Sequence, residues 1–386
     1  MSDGSSGVPL LDVARGNTPH REAFLEALAE VVDSGRFLFG PDVNQLEAEV
    51  AALSQAEHAV GCASGSDALL LSLMALGIGP GDEVLVPSFT FFASVSCVTR
   101  LGATPRLVDI DPATFNADPA AMQAAITPQT KAMIPVHLFG QCAAIDRICQ
   151  IGAEHQIPVV EDAAQAIGAA YHSRPAGSWG LMGCFSFYPT KNLGGMGDGG
   201  MLTSNDAAIA DRLRLFAGHG MRPRYHHQVV GINSRLDSFQ AAVLRVKLQH
   251  LSTAIQGRQA VADRYAQLFE DAGIDGAAQC VLPTVDGPAY HVWNQYAVRI
   301  PEGRRDALRS YLADQGIGSE IYYPIPLHRQ QCYAGAPWTK VELPETERAC
   351  NEVLNLPIFP ELTEAEQARV VASVARFFAE QGRRAA

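Results

Sequence analysis

The chain has 386 residues, 47% hydrophobic and 18% charged, with 29 Lys plus Arg against 41 Asp plus Glu and a formal net charge of −12. That length exceeds what one core usually reaches and predicts a large and a smaller domain; the acidic balance argues against nucleic acid, whose backbone would meet a repulsive average field. The eight cysteines are scattered without CxxC or paired Cys/His spacing, so no metal is expected and structural thiols in a reducing cytoplasm are the reading, and no apolar run approaches the span of a membrane helix.

Residues 1–20, opening "MSDGSSG", read as a flexible leader. A large α/β domain follows over 21–250. Within it the strand-like runs "DEVLVPSFTF", "TPRLVDID", "KAMIPVHLFG", "IPVVEDAAQ" and "GGMLTSN" alternate with the helical "SDALLLSLMALGI", "FASVSCVTRLGA" and "AIDRICQIGAEHQ". Such alternation requires crossover connections, hence a mixed, mostly parallel sheet covered on both faces. Ligands of these sheets gather outside the carboxyl ends of the strands, which makes Asp109, Asp111, His137, Glu161 and Asp162 candidates for one rim. From Ser234 to near Gly273 the spacing predicts one long helix bridging to a small α+β domain, 251–386, built from "HVWNQYAVRI", "RRDALRSYLADQGI", "SEIYYPIPLH" and "TEAEQARVVASVARFFAEQ".

Three patterns carry chemistry. In "FSFYPTKNLGGMGDGG" (185–200) Lys191 stands between an aromatic and a glycine run; it reads as a solvated loop lysine or as a reactive amine. In "GCASGSDALLLSL" the small residues Ser64, Gly65 and Ser66 precede an apolar helix, giving a phosphate cradle or only a capped helix start with Ser66 or Asp67 as cap. In "VVEDAAQAIGA" Asp162 ends a strand, as the N-cap of a next helix or as a buried carboxylate for a cationic ring nitrogen. The "GGMGDGG" run precedes a strand instead of opening a helix after one, so it is no dinucleotide fingerprint. A lysine, a carboxylate and a helix N-terminus together match the needs of pyridoxal phosphate, with Ser186 adding a hydroxyl to the phosphate and Phe91 either lying on the ring or packing in the core.

These motifs, with "GATPRLVDID", "IPVHLFGQ", "GINSRLDSFQAAVL" and "IYYPIPLH", resemble over about Phe37 to Leu362 the DegT/DnrJ/EryC1/StrS sugar aminotransferases, which have the aspartate-aminotransferase-like (type I) pyridoxal-phosphate fold. The resemblance implies Lys191 as the Schiff-base and proton-shuttling residue and Asp162 at the ring nitrogen. It implies Gln165 by the ring hydroxyl, Phe91 stacked, and Gly65, Ser66 and Ser186 on the phosphate. Asn233 would reach the phosphate across the interface of a homodimer with shared active sites. The activity implied is transfer from an amino acid such as glutamate, through pyridoxamine phosphate, to a nucleotide-linked keto-sugar, with C3 of a dTDP- or UDP-linked 3-keto hexose as the acceptor position. Tyr322, Tyr323 and His328 line the sugar pocket or simply pack a loop; Arg222, Arg224, His226 and His227 meet a nucleotide diphosphate or are solvated. Relatives with histidine in place of the lysine dehydrate sugars, and a fold kept for a regulatory or scaffold role is the non-catalytic alternative.

Overall fold

Short β-branched runs form the centre of the molecule, whose computed structural model describes residues 7–276 and 279–385. Glu83–Pro87 lies between Thr104–Val108 and Thr130–Met133, parallel to both. Parallel bridges Met133 to Val159 and Val136 to Asp162 carry the sheet on to Val160–Asp162, which pairs in parallel with Met182–Ser186. Gly200–Ser204 then runs antiparallel to Met182–Ser186, and His58–Cys62 closes the edge antiparallel to Gly200–Ser204. One of these seven strands therefore opposes the rest, and the sheet is mixed and mostly parallel as the alternation predicts.

Because side chains alternate along a strand, the two faces of the sheet feed two cores. Leu85, Phe185 and Met201 enter one, with Leu46, Ile145 and Ile148; Val84, Val86, Cys184 and Leu202 enter the other, with Leu69, Leu71 and Leu73. The Gly65–Leu76 helix is apolar nearly all round and accordingly buried, so its N-terminus is fixed against the sheet rather than free in a loop. A third core gathers Tyr265, Phe269, Tyr296, Val298, Leu312, Leu354, Val370 and Phe377. It packs the antiparallel pair Tyr296–Arg299 and Val353–Leu356 against the helices Leu251–Ala272, Arg305–Asp314 and Glu364–Ala385.

Three expectations are corrected. The predicted bridging helix is two, Ser238–Leu248 and Leu251–Ala272, and nothing of the Gly or Pro type marks the break at Gln249–His250; there the His250 ring stacks on His20 at 3.9 Å, a tertiary contact the local pattern does not contain. "SEIYYPIPLH" adds only the bridge Glu320 to Asn355 before running as a loop into a short 3-10 turn at Leu327–Arg329, since Pro324 and Pro326 have no N–H to extend a ladder. Of the expected leader, 1–6 lie outside the described residues, and 7–20 are packed. Val8 is buried in the third core and donates its N–H to Gly316 O at 2.9 Å, and the Arg15 guanidinium forks onto Glu366 at 2.9 and 3.0 Å.

Candidate active site

Ser64 adopts an extended conformation and accepts the Asp67 N–H on its Oγ at 3.1 Å, so Ser64 is the helix cap, in place of Ser66 or Asp67. The first-turn N–H groups that follow have no partner within the helix and carry the positive end of its dipole. Gly65 lies directly against Ser186, where a Cβ would sit 2.6 Å from the serine Cβ. The two segments of the expected cradle, Gly65–Ser66 and Ser186, thus meet at one strand end.

Ser186 also pairs with Gly200, which closes the base of the lysine loop 187–199. Inside it Phe187 N donates to Gly199 O at 2.8 Å, Gly195 N to Phe187 O at 2.8 Å and Lys191 N to Tyr188 O at 2.9 Å. A Cβ at Gly194 would collide with the Pro189 carbonyl, so the turn requires glycine there. Lys191 keeps partial solvent access, as a side chain opening into a cleft does, yet the protein packed around its ammonium lowers its pKa to about 8; the charge of Asp162 opposes that shift. A lowered pKa of this kind suits a reactive amine better than a solvated loop lysine.

Asp162 is 4% exposed. No helix follows it: Ala164 N donates to its Oδ1 at 3.2 Å in a turn, while Ser94 Oγ donates to Oδ2 at 2.7 Å. Burial raises its pKa, and the Ser94 and Ala164 hydrogen bonds and the Lys191 charge act against that rise. Of the five rim candidates it alone acts on the Lys191 ammonium through its charge. Glu161 is spent on the buried His137 at 2.9 Å and on the N–H groups of Gly177, Trp179 and Gly180. Asp109 caps the Pro344–Glu352 helix through Glu345 N and Thr346 N, and Asp111 holds its own turn through Thr114 N.

Gln165 accepts from Phe139 N at 2.6 Å and donates to the Tyr323 hydroxyl at 3.2 Å. The Tyr323 ring lies 6.1 Å from that of Phe91, which is 56% exposed and therefore not a core aromatic. Tyr322 is half-buried beside Tyr323, their rings 5.9 Å apart. His328 is buried with both ring nitrogens engaged, Nδ1 with Ser88 Oγ at 2.8 Å and Nε2 with Glu347 at 3.1 Å; it clamps a loop and offers no nitrogen to a pocket. Asn233 is exposed and accepts from Arg235 Nε at 2.9 Å, next to Ser234, whose hydroxyl accepts the Ala63 N–H beside the cradle. Arg222 pairs with Asp211 at 2.7 Å on the surface, Arg224 lies over the Tyr225 ring, and the His227 ring bonds His219 O. A cavity of about 390 Å³ is lined by Lys191 and Asn192 of this loop together with His20, Lys247, His250 and Glu361; Asp162, Phe91 and Ser186 do not line it.

The donor set fits pyridoxal phosphate. A depressed amine and a buried, partly uncompensated carboxylate lie within each other's field, beside a helix N-terminus with a hydroxyl and an uncovered aromatic face. A model of the DegT/DnrJ/EryC1/StrS aminotransferases matches residues 19–375. The chain belongs to that family. The family is one of pyridoxal-phosphate-dependent enzymes. Among relatives of this DegT/DnrJ/EryC1/StrS member, a protein of Geobacillus stearothermophilus named pleiotropic regulatory protein is 47% identical over 96% of this chain and 98% of its own. The UDP-N-acetyl-3-dehydro-alpha-D-glucosamine 3-aminotransferase of Acidithiobacillus ferrooxidans is 43% identical over 96% and 98%. The crystal structure of S. venezuelae DesV in complex with a ketimine intermediate superposes with a TM-score of 0.92 at 43% identity, covering 97% of this chain and 99% of that one. The fold is that of the type I sugar aminotransferases.

Proposed function

We propose that this protein transfers an amino group from an amino acid, glutamate, to C3 of a dTDP- or UDP-linked 3-keto hexose, with pyridoxal phosphate joined covalently to Lys191. The observation that carries the reading is the coupling of Lys191 with Asp162 next to the cradle of Gly65, Ser66 and Ser186. The naming of a 43% identical relative as a 3-aminotransferase of a UDP-linked sugar supports the acceptor class and position.

Bound here, the cofactor supplies the electron sink that makes the donor's Cα–H acidic. The chain does the rest. Asp162 holds the proton of the ring nitrogen, because a carboxylate kept from water by burial gains most from a cation in contact with it. Lys191 Nζ would take the Cα proton and return it to the carbon on the other side of the transferring nitrogen, a task for an amine whose pKa burial lowers to about 8, so that a substantial fraction is neutral at that pH. The helix N-terminus with Ser66 and Ser186 holds the phosphate, Gln165 and Tyr323 the ring hydroxyl side, and Phe91 one ring face. Tyr322 and the Arg222 loop are offered to the sugar nucleotide.

Two subunits complete the site through Asn233, whose exposure supports that arrangement, as does the exposed apolar run Phe37, Leu38 and Phe39. Cytoplasmic residence is proposed from the unpaired thiols; no helix among the described residues is long and apolar enough to cross a membrane. A two-step absorbance assay tests the function. Glutamate should convert the visible band of the holoenzyme to the amine form, and a nucleotide-linked 3-keto hexose should restore it. Restoration by simple 2-oxo acids alone overturns the sugar assignment; a colourless protein that does not respond to added cofactor favours a regulatory role.

A further inference from the structure

The segment Thr90–Ser94 faces two ways. Phe91 points outward into the cleft, whereas Thr90 and Ser94, four residues apart at the entry to the Ala93–Arg100 helix, are 2% and 0% exposed. Their hydroxyls lie 3.1 Å apart, and the inner one reaches Asp162 Oδ2 at 2.7 Å. A carboxylate oxygen can only accept, so the Ser94 proton is committed to Asp162. Ser94 Oγ is then the acceptor that faces Thr90, and the chain runs Thr90 Oγ1–H to Ser94 Oγ–H to Asp162 Oδ2.

We propose that Ser94, oriented by Thr90, is a positioning residue that sets the rotamer and the ionised state of Asp162 and thereby the protonation of the cofactor nitrogen. The inference rests on the reading that Asp162 serves that nitrogen. With Oδ1 held by the Ala164 N–H and Oδ2 by Ser94, the carboxylate plane is fixed from two sides. A hydrogen bond to the charged form favours that form, and no other side chain donates one to Asp162 among the described residues. The same five residues thus carry both the exposed Phe91 ring and the hydroxyl that holds Asp162, so a shift of this turn would move both together. Neither residue needs to touch substrate or cofactor to do this.

The test uses the cofactor-loaded enzyme and four variants: Ser94→Ala, Ser94→Thr, Thr90→Val and Asp162→Asn. The readouts are the pH midpoint of the visible band, the dissociation constant for pyridoxal phosphate and the separate kcat and KM values. A ring nitrogen that keeps its proton less well withdraws less charge, so the midpoint moves upward. Asp162→Asn should show the largest upward shift. Ser94→Ala should shift it in the same direction by a smaller amount, with kcat lower by about tenfold or more and KM for the sugar nearly unchanged; Ser94→Thr, which keeps the hydroxyl, should restore both. Thr90→Val should give a weaker copy of Ser94→Ala, and it reads the same chain should Ser94→Ala be poorly folded. An unshifted midpoint in Ser94→Ala and Thr90→Val alongside a shifted one in Asp162→Asn overturns this inference alone. An unshifted midpoint in Asp162→Asn overturns the cofactor reading beneath it.

Discussion

Gly65 and Ser186 touch so closely that the glycine has no room for a side chain: its Cβ would fall 2.6 Å from the serine Cβ and 3.2 Å from its Oγ. One comes from the start of a helix and the other from the end of a strand, and their contact defines the floor on which a phosphate would rest. Gly65→Ala must push one of the two segments away. The expected result is a loss of about 1–3 kcal/mol of stability and weaker cofactor binding, read by thermal melting of the apo-protein and by titration with pyridoxal phosphate. Unchanged cofactor affinity would mean that the phosphate binds elsewhere.

The amine of Lys191 gives a signature in the apo-protein. Only its neutral form attacks an aldehyde, so the rate of recombination with pyridoxal phosphate should rise about tenfold per pH unit below about 8 and level off above. The sign for stability follows from the same shift. The folded state releases the proton near 8 while the unfolded chain holds it toward 10.5, so this group makes the apo-protein more stable as pH rises across that window. Lys191→Ala should remove both dependences and the visible band of the holoenzyme.

Asp162 should behave in the opposite sense. Burial raises its pKa, so between the ordinary carboxylate value and that raised value the folded state binds more protons than the unfolded one, and stability falls as pH rises. Above the window the penalty is fully present. Asp162→Asn removes the charge and keeps the shape; the apo-protein should gain about 1–2 kcal/mol near neutral pH while losing affinity for the cofactor. A variant that is both less stable and fully able to bind pyridoxal phosphate contradicts the assignment.

His328 separates a structural from a substrate role. With Ser88 on one ring nitrogen and Glu347 on the other, His328→Ala removes the imidazole from the buried Ser88 hydroxyl while Glu347 keeps Arg329, and should cost about 1–3 kcal/mol, measurable by denaturant titration. Were the ring a sugar contact, the melting curve would stay in place and KM for the sugar nucleotide would rise alone.

Much of this site is legible in the chain because its parts are local. The parallel strands announce themselves by alternation with helices, Lys191 by its improbable company of aromatics and glycines, and Asp162 by its place at a strand end. What is not legible depends on contacts between distant segments. The break at Gln249–His250 answers to His20, and the packing of Val8 answers to Gly316; neither leaves a mark in its own neighbourhood. For His328 the sequence leaves a pocket role and loop packing equally open, and only the contacts with Ser88 and Glu347 separate them. Ser94 escapes the pattern reading although a local signal exists: two hydroxyls spaced by four in the otherwise apolar "TFFAS", which lie 3.1 Å apart.

The pairing of Ser186 with Gly200 has one more consequence. Lys191 hangs from a loop whose ends are sewn into neighbouring strands, and the bonds that hold the loop at Phe187, Gly195 and Lys191 N run through the backbone. Chemistry and architecture are thus separable at this position. A chain carrying Lys191→Ala should remain folded with its cradle open, and can serve as a trap that captures the cofactor–sugar adduct without turning it over.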